Sequence, residues 1–129
     1  MEYNILLVDD EADIHELMSL FLEMSEGHTF IMDSAEDGKT GVEMYSKLSK
    51  EGRKPDIVLM DLRMPVMDGV EATGHILESD PGANIYLFTA YTKTEVEQDA
   101  IKAGARGTLN KSTDWNQTVG AIVDILELS

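Results

Sequence analysis

The chain has 129 residues, an apolar fraction of 43%, no cysteine and a formal net charge of −15. These values fit one folded domain, 1–129, with a real core. They exclude a disordered chain, disulfides and thiol chemistry. So acidic a balance argues against direct nucleic-acid binding, because phosphate contacts need Lys and Arg.

The pattern in chain order alternates strands and helices. Asn4 to Val8 reads as a buried strand ending in Asp9-Asp10-Glu11. Glu11 to Met24 follows as a helix with Ile14, Leu17, Met18 and Phe21 on one face. Gly27-His28 breaks it. Thr29 to Ala35 is a second strand, and Lys39 to Lys50 a second helix facing inward with Val42, Tyr45 and Leu48. Ile57 to Met60, bounded by Pro55 and a Pro/Gly loop, reads as a strand buried on both faces, with Asp61 directly at its carboxyl end.

Gly69 opens a third helix carrying Val70, Thr73, Ile76 and Leu77, and Ser79-Asp80-Pro81-Gly82 closes it. Ile85 to Phe88 is a fourth strand closed by Thr89-Ala90. Thr92 to Ala103 is a fourth helix with a thin apolar face of Val96, Ala100 and Ile101, stopped by Gly104. Gly107 to Asn110 is a fifth strand followed by Lys111, and Thr113 or Asp114 caps a last helix with Val119, Ile122, Val123 and Leu126 inward. This alternation predicts an α/β domain, a five-stranded parallel sheet covered on both faces by five helices. The longest apolar run, Ile5 to Val8, is too short to span a bilayer, so no membrane association is expected. The first residues carry no basic region or cleavage pattern; a cytoplasmic location is expected.

In an open parallel sheet the carboxyl ends of the strands share one edge, and ligands bind where the strand order reverses. With the order 2-1-3-4-5, Asp9, Asp10, Asp61, Thr89 and Lys111 meet in one crevice. At ~4 Å and an effective dielectric of ~20, each ionised carboxylate pair costs up to about 4 kcal/mol. A hard divalent cation relieves that repulsion, and Mg²⁺ suits a few carboxylates with waters and phosphate oxygens. The alternative use of the aspartates is to cap the first helix and its loop.

Leu7-Val8-Asp9-Asp10-Glu11, Asp56 to Asp61, Met64-Pro65-Val66-Met67-Asp68-Gly69, Thr89-Ala90 and Ala103-Gly104-Ala105 closely resemble the receiver domain of two-component response regulators. The likeness runs from about Asn4 to Leu126. It implies a flavodoxin-like doubly wound fold with Asp61 as phosphoacceptor. By the same resemblance Asp10, Asp61 and the backbone carbonyl of Arg63 would ligate Mg²⁺, with Asp9 supporting through water. Lys111 would pair with the phosphoryl group, and Thr89 would bond it and relay the change. The implied partners are a sensor histidine kinase or phosphotransfer protein, and an output protein or effector domain read on helix four, strand five and helix five, where Tyr91 and Trp115 offer aromatic contacts. The chain would assist its own phosphorylation without being a turnover enzyme.

Three positions depart from the family pattern. Thr108 stands where a rotating Tyr or Phe is usual, Ser112 where a Pro follows the Lys, and bulky Arg63 at a position that influences phosphate lifetime. A Lys111–Ser112 bond is expected trans, because cis costs roughly 2.5–4 kcal/mol without proline.

Other readings are weaker on residue chemistry. A flavodoxin-type carrier needs a Ser/Thr/Gly phosphate loop after the first strand, where this chain has Asp-Asp-Glu. An aspartate-dependent phosphatase needs a D-x-D pair and a cap domain. A pseudo-receiver that binds a partner without phosphorylation would not need Asp10, Asp61, Thr89 and Lys111. His15, His28 and His75 lie in separate elements without ligand spacing and read as surface or helix-end residues. Trp115 reads as packing or as a partner anchor.

Overall fold

A computed structural model describes residues 2–90, 92–111 and 114–128. Its elements are β1 (Glu2–Val8), α1 (Ala12–Glu23), β2 (Thr29–Ala35), α2 (Gly38–Lys50), β3 (Ile57–Met60), α3 (Gly69–Ser79), β4 (Ile85–Thr89), α4 (Glu95–Ala103), β5 (Gly107–Asn110) and α5 (Trp115–Leu128). The strands form one parallel sheet in the order β2-β1-β3-β4-β5. The covered parallel sheet is the one expected from the alternation of elements, and its order is the doubly wound, flavodoxin-like one that the family resemblance implies.

The two-residue period of a strand divides the core into two layers. Leu6, Val8, Val58, Met60, Ile85 and Leu87 point to one face, where Tyr45 of α2, Ala72 and Ile76 of α3 and Ala100 of α4 cover them. Ile5, Leu7, Ile57, Leu59 and Phe88 point to the other, under Met18 and Leu22 of α1 and Trp115, Val119 and Ile122 of α5. Each fully buried Leu or Ile contributes about 1.5–3 kcal/mol. The central strands β1 and β3 are therefore the most firmly anchored, and the residues that follow them inherit that rigidity.

Several helix starts are fixed by side chains. Asp37 accepts from the Thr40 amide at 2.8 Å, Asp68 from Glu71 at 2.9 Å and Asp114 from Gln117 at 3.1 Å. Asp114 is thus a cap of α5, while Thr113 lies outside the described residues. Gly69 is required by crowding: a Cβ there would collide with the Asp61 carbonyl. Gly104 ends α4 with φ 121°, a backbone that L side chains rarely adopt.

The structure corrects some details. β1 begins at Glu2, because Tyr3 pairs in register with Phe30 and is buried. α4 begins at Glu95 rather than Thr92, since Thr94 bonds the Glu97 amide at 3.1 Å and so sets the first turn. Only Ala100 of its expected inward face is buried; Val96 and Ile101 are 37% and 42% exposed. On α1, Leu17 likewise points outward while Leu22 takes a core place. Trp115 packs on Phe21 and edge-on to Phe88, which settles it as a packing residue. Tyr91 and the Lys111–Ser112 bond lie outside the described residues.

Candidate functional site

Register brings the acidic residues together. Val8 pairs with Met60, so the next residues, Asp9 and Asp61, leave adjacent strand ends side by side. The backbone locks this in place: the Asp61 amide donates to the Val8 carbonyl at 2.9 Å and the Asp9 amide to Ala35 at 3.0 Å. On the far side Thr89 pairs with Asn110, and the Lys111 amide donates to the Thr89 carbonyl at 3.0 Å. Oxygens of Asp9, Asp10 and Asp61 all lie within 4.8 Å of one another.

Lys111 enters this cluster from β5. Its ammonium stands 2.7 Å from Asp9 Oδ2, 3.5 Å from Asp61 Oδ2 and 3.5 Å from Glu11 Oε1. It also rides 5.8 Å from the centroid of the Phe88 ring. Buried Thr89 is next to this group, and Arg63 is exposed in the loop two residues past Asp61. Asp9, Asp10, Asp61, Thr89 and Lys111 are thus gathered at one sheet edge, as the order of strands requires.

One ammonium does not balance three carboxylates. Burial pushes the Asp61 carboxyl up to about 6, and the charges of Asp9 and Asp10 add to that rise against the pull of Lys111. Asp9 is raised as well, because complete burial outweighs its pairing with Lys111 and its bond from the Glu11 amide. For Lys111 burial works against the charge, but the close approach of Asp9 and the charges of Asp9, Asp61 and Glu11 outweigh it, leaving a raised pKa and a firmly protonated amine. The 2.7 Å approach to Asp9 Oδ2 is an ion pair without hydrogen-bond angles, so that buried oxygen has no hydrogen-bond partner.

These observations fit Mg²⁺. Three hard oxygen donors converge, two of them on buried carboxylates, and the buried Asp9 Oδ2 is met by an ion pair with Lys111 but by no hydrogen bond. They do not fit simple capping: the N-cap of α1, Glu11, makes no side-chain capping bond, and neither Asp9 nor Asp10 replaces it. Asp9 Oδ1 does accept from the Glu11 amide at 2.9 Å, which fixes the carboxylate's rotation and leaves Oδ2 facing the crevice.

Two neighbours join the expected site set, of which only His15 was not legible at the crevice. Glu11 reaches Lys111, and His15, read as a surface or helix-end residue, reaches the Asp9 carbonyl at 2.7 Å through Nε2. Its spacing, six residues past Asp9 on the helix that follows, is the only signal the sequence carried. A groove of about 890 Å³ between α2 and α3 lies elsewhere, where Lys54, Asp80 and Tyr45 already satisfy one another.

Comparison with known proteins agrees with this geometry. Residues 5–123 match the family described as the response regulator receiver domain. The chain is 39% identical over 126 residues to the chemotaxis protein CheY of Halobacterium salinarum, covering 98% of each. Its fold is similar to a LuxR-family two-component response regulator from Aurantimonas, with TM-score 0.82, 34% identity, and coverage of 98% of this chain and 86% of that one. It is also similar to a chain of the CheX–CheY–BeF3–Mg complex of Borrelia burgdorferi, with TM-score 0.81, 27% identity, and coverage of 95% and 88%. The chain belongs to the receiver-domain family of two-component response regulators, in its CheY-like form.

Proposed function

We propose that the whole chain acts as a phosphoacceptor receiver domain in the cytoplasm, taking a phosphoryl group on Asp61 from a histidine kinase or phosphotransfer protein. The observation that carries this reading is the convergence of Asp9, Asp10 and Asp61 on Lys111 at adjacent strand ends. Asp10, Asp61 and the Arg63 backbone carbonyl would hold Mg²⁺, with Asp9 behind them. When bound, the ion supplies charge neutralisation for phosphoryl oxygens and for the carboxylates.

The chain's own residues do the rest. Asp61 is ionised above about pH 6 and buried beside Lys111, so its carboxylate oxygen is available as nucleophile. It forms the O–P bond as the donor's leaving group departs with the bonding electrons. Lys111, protonated and already within 3.5 Å of Asp61, turns from Asp9 toward a phosphoryl oxygen. The Thr89 hydroxyl, at the end of β4, bonds a second oxygen and draws the following loop inward. No separate substrate is turned over.

The output is read on α4, β5 and α5. The exposed Val96 and Ile101 of α4 support this, since both leave apolar surface for a partner protein. With Thr108 in place of an aromatic, coupling runs through Thr89 and the segment after it. Among the described residues no helix is long and apolar enough to cross a membrane.

Intact-mass spectrometry after incubation with acetyl phosphate tests the reading. One phosphoryl mass is expected with Mg²⁺, and none with chelator or in Asp61→Asn. A gain that persists in Asp61→Asn removes the assignment.

A further inference from the structure

His15 sits in the second turn of α1 and ties three elements together. Its Nε2 lies 2.7 Å from the Asp9 carbonyl oxygen at the end of β1, and its Nδ1 lies 2.9 Å from Ser34 Oγ on β2. A carbonyl only accepts, so Nε2 carries the proton and donates. In the neutral ring Nδ1 is then the acceptor, and the Ser34 hydroxyl donates to it. Ser34 is itself held in the sheet, in register with Leu7. The ring is therefore fixed from both sides.

The bonded carbonyl belongs to the peptide unit joining Asp9 to Asp10. That unit is planar, so holding its oxygen fixes the amide and Cα of Asp10 as well. Other contacts hold the residues on either side of this peptide: the Asp9 amide donates to the Ala35 carbonyl at 3.0 Å, and Lys111 pairs with the Asp9 and Glu11 carboxylates. The N-cap Glu11 makes no side-chain capping bond, and the Asp9 carboxylate contributes one bond, to the Glu11 amide. Asp10 is exposed, and its side chain depends on this backbone for its aim.

We propose that His15, with Ser34 behind it, is a positioning residue for the acidic crevice: it sets the plane of the Asp9–Asp10 peptide and hence where the two carboxylates stand for a divalent cation. The proposal rests on the Mg²⁺-binding reading above. Mg²⁺ demands near-ideal octahedral geometry, so a small error in carboxylate placement weakens binding more than it weakens the fold.

The test compares wild type with His15→Leu, His15→Gln and Ser34→Ala. Mg²⁺ affinity is read by titration of the Asp10 and Glu11 amide signals, and thermal unfolding is followed in chelator. His15→Leu should bind Mg²⁺ about tenfold more weakly, as for loss of an outer-shell partner. His15→Gln retains an N–H for the Asp9 carbonyl and should recover most of that loss, with Ser34→Ala between the two. A structural role alone would lower the unfolding temperature and leave Mg²⁺ affinity unchanged in folded His15→Leu, which overturns the proposal; so does His15→Gln binding as weakly as His15→Leu. Should His15→Leu fail to fold, wild-type affinity in Ser34→Ala overturns it. A wild-type chain that binds no Mg²⁺ overturns the crevice reading itself, and the role of His15 with it.

Discussion

The Lys111 ammonium stands closer to Asp9 Oδ2, at 2.7 Å, than to the Asp61 oxygen it faces at 3.5 Å. In this state the lysine serves mainly as counter-charge to a fully buried carboxylate. Removing one partner of a buried pair leaves an uncompensated charge. Lys111→Ala should therefore lose about 2 kcal/mol in chelator, less than a fully sealed pair would lose, since water reaches this crevice. Mg²⁺ should restore more stability to the variant than to wild type, because the carboxylates then have no other cation. Urea unfolding with and without Mg²⁺ measures both; equal Mg²⁺ effects would contradict this role.

The raised pKa of Asp61 makes the site a cost to the fold. The folded carboxyl titrates near about 6, against an ordinary 3.8 in the unfolded chain. The folded state thus binds this proton more tightly. That contribution is fully present below pH 3.8 and is lost as pH rises to about 6. At neutral pH without metal, Asp61→Asn should be more stable than wild type by about 1–3 kcal/mol. The difference should shrink as pH falls through that window. Unfolding curves between pH 4 and 8 in chelator check this, and a less stable Asp61→Asn at neutral pH would refute it.

Asp80 behaves in the opposite sense. Lys54 at 2.7 Å, then the Tyr45 hydroxyl at 2.7 Å, hold its carboxyl down near about 2. A depressed folded pKa gives stability present above 3.8 and lost as pH falls toward about 2. The pair is partly solvated, so salt screens it. Tyr45→Phe removes the hydrogen bond that ties α2 to the loop after α3 and should cost about 1 kcal/mol. The loss should be smaller at pH 2, where wild type has begun to lose the carboxylate. A pH-independent difference would point to packing instead.

Val66 has φ 70° and is 78% exposed in the loop between β3 and α3. A β-branched side chain in the left-handed region is strained, and nothing apolar covers enough of it to compensate. Asn tolerates this backbone with a smaller unfolded-state penalty than Gly. Val66→Asn should stabilise the chain by about 1 kcal/mol. Chemical denaturation decides; a destabilised variant would mean that Val66 packs in a way its exposure does not reveal.

How much of this was legible in the sequence depends on how local the cause is. Strand ends could be read because Val8 and Met60 close continuous apolar runs and Asp9 and Asp61 follow at once. The crevice then followed from parallel topology once the order 2-1-3-4-5 was assumed, which no single stretch of the sequence dictates. α4 was misjudged because its apolar residues do not reveal its tilt: at nine residues it buries only Ala100 and turns Val96 and Ile101 outward. β1 extends back to Glu2 because Tyr3 finds Phe30 across the sheet, a long-range cause. His15 was missed for the same reason, since its contact depends on how α1 leans over the ends of β1 and β2.

The most direct test of the central claim is the position of the acyl phosphate. Borohydride reduces such a mixed anhydride to an alcohol, leaving homoserine in place of the phosphorylated aspartate, which peptide mass spectrometry locates. After acetyl phosphate treatment with Mg²⁺, reduction should mark Asp61 alone, and chelator should abolish the mark. Reduction at Asp9 or Asp10, or a mark at Asp61 that persists in chelator, would contradict the account.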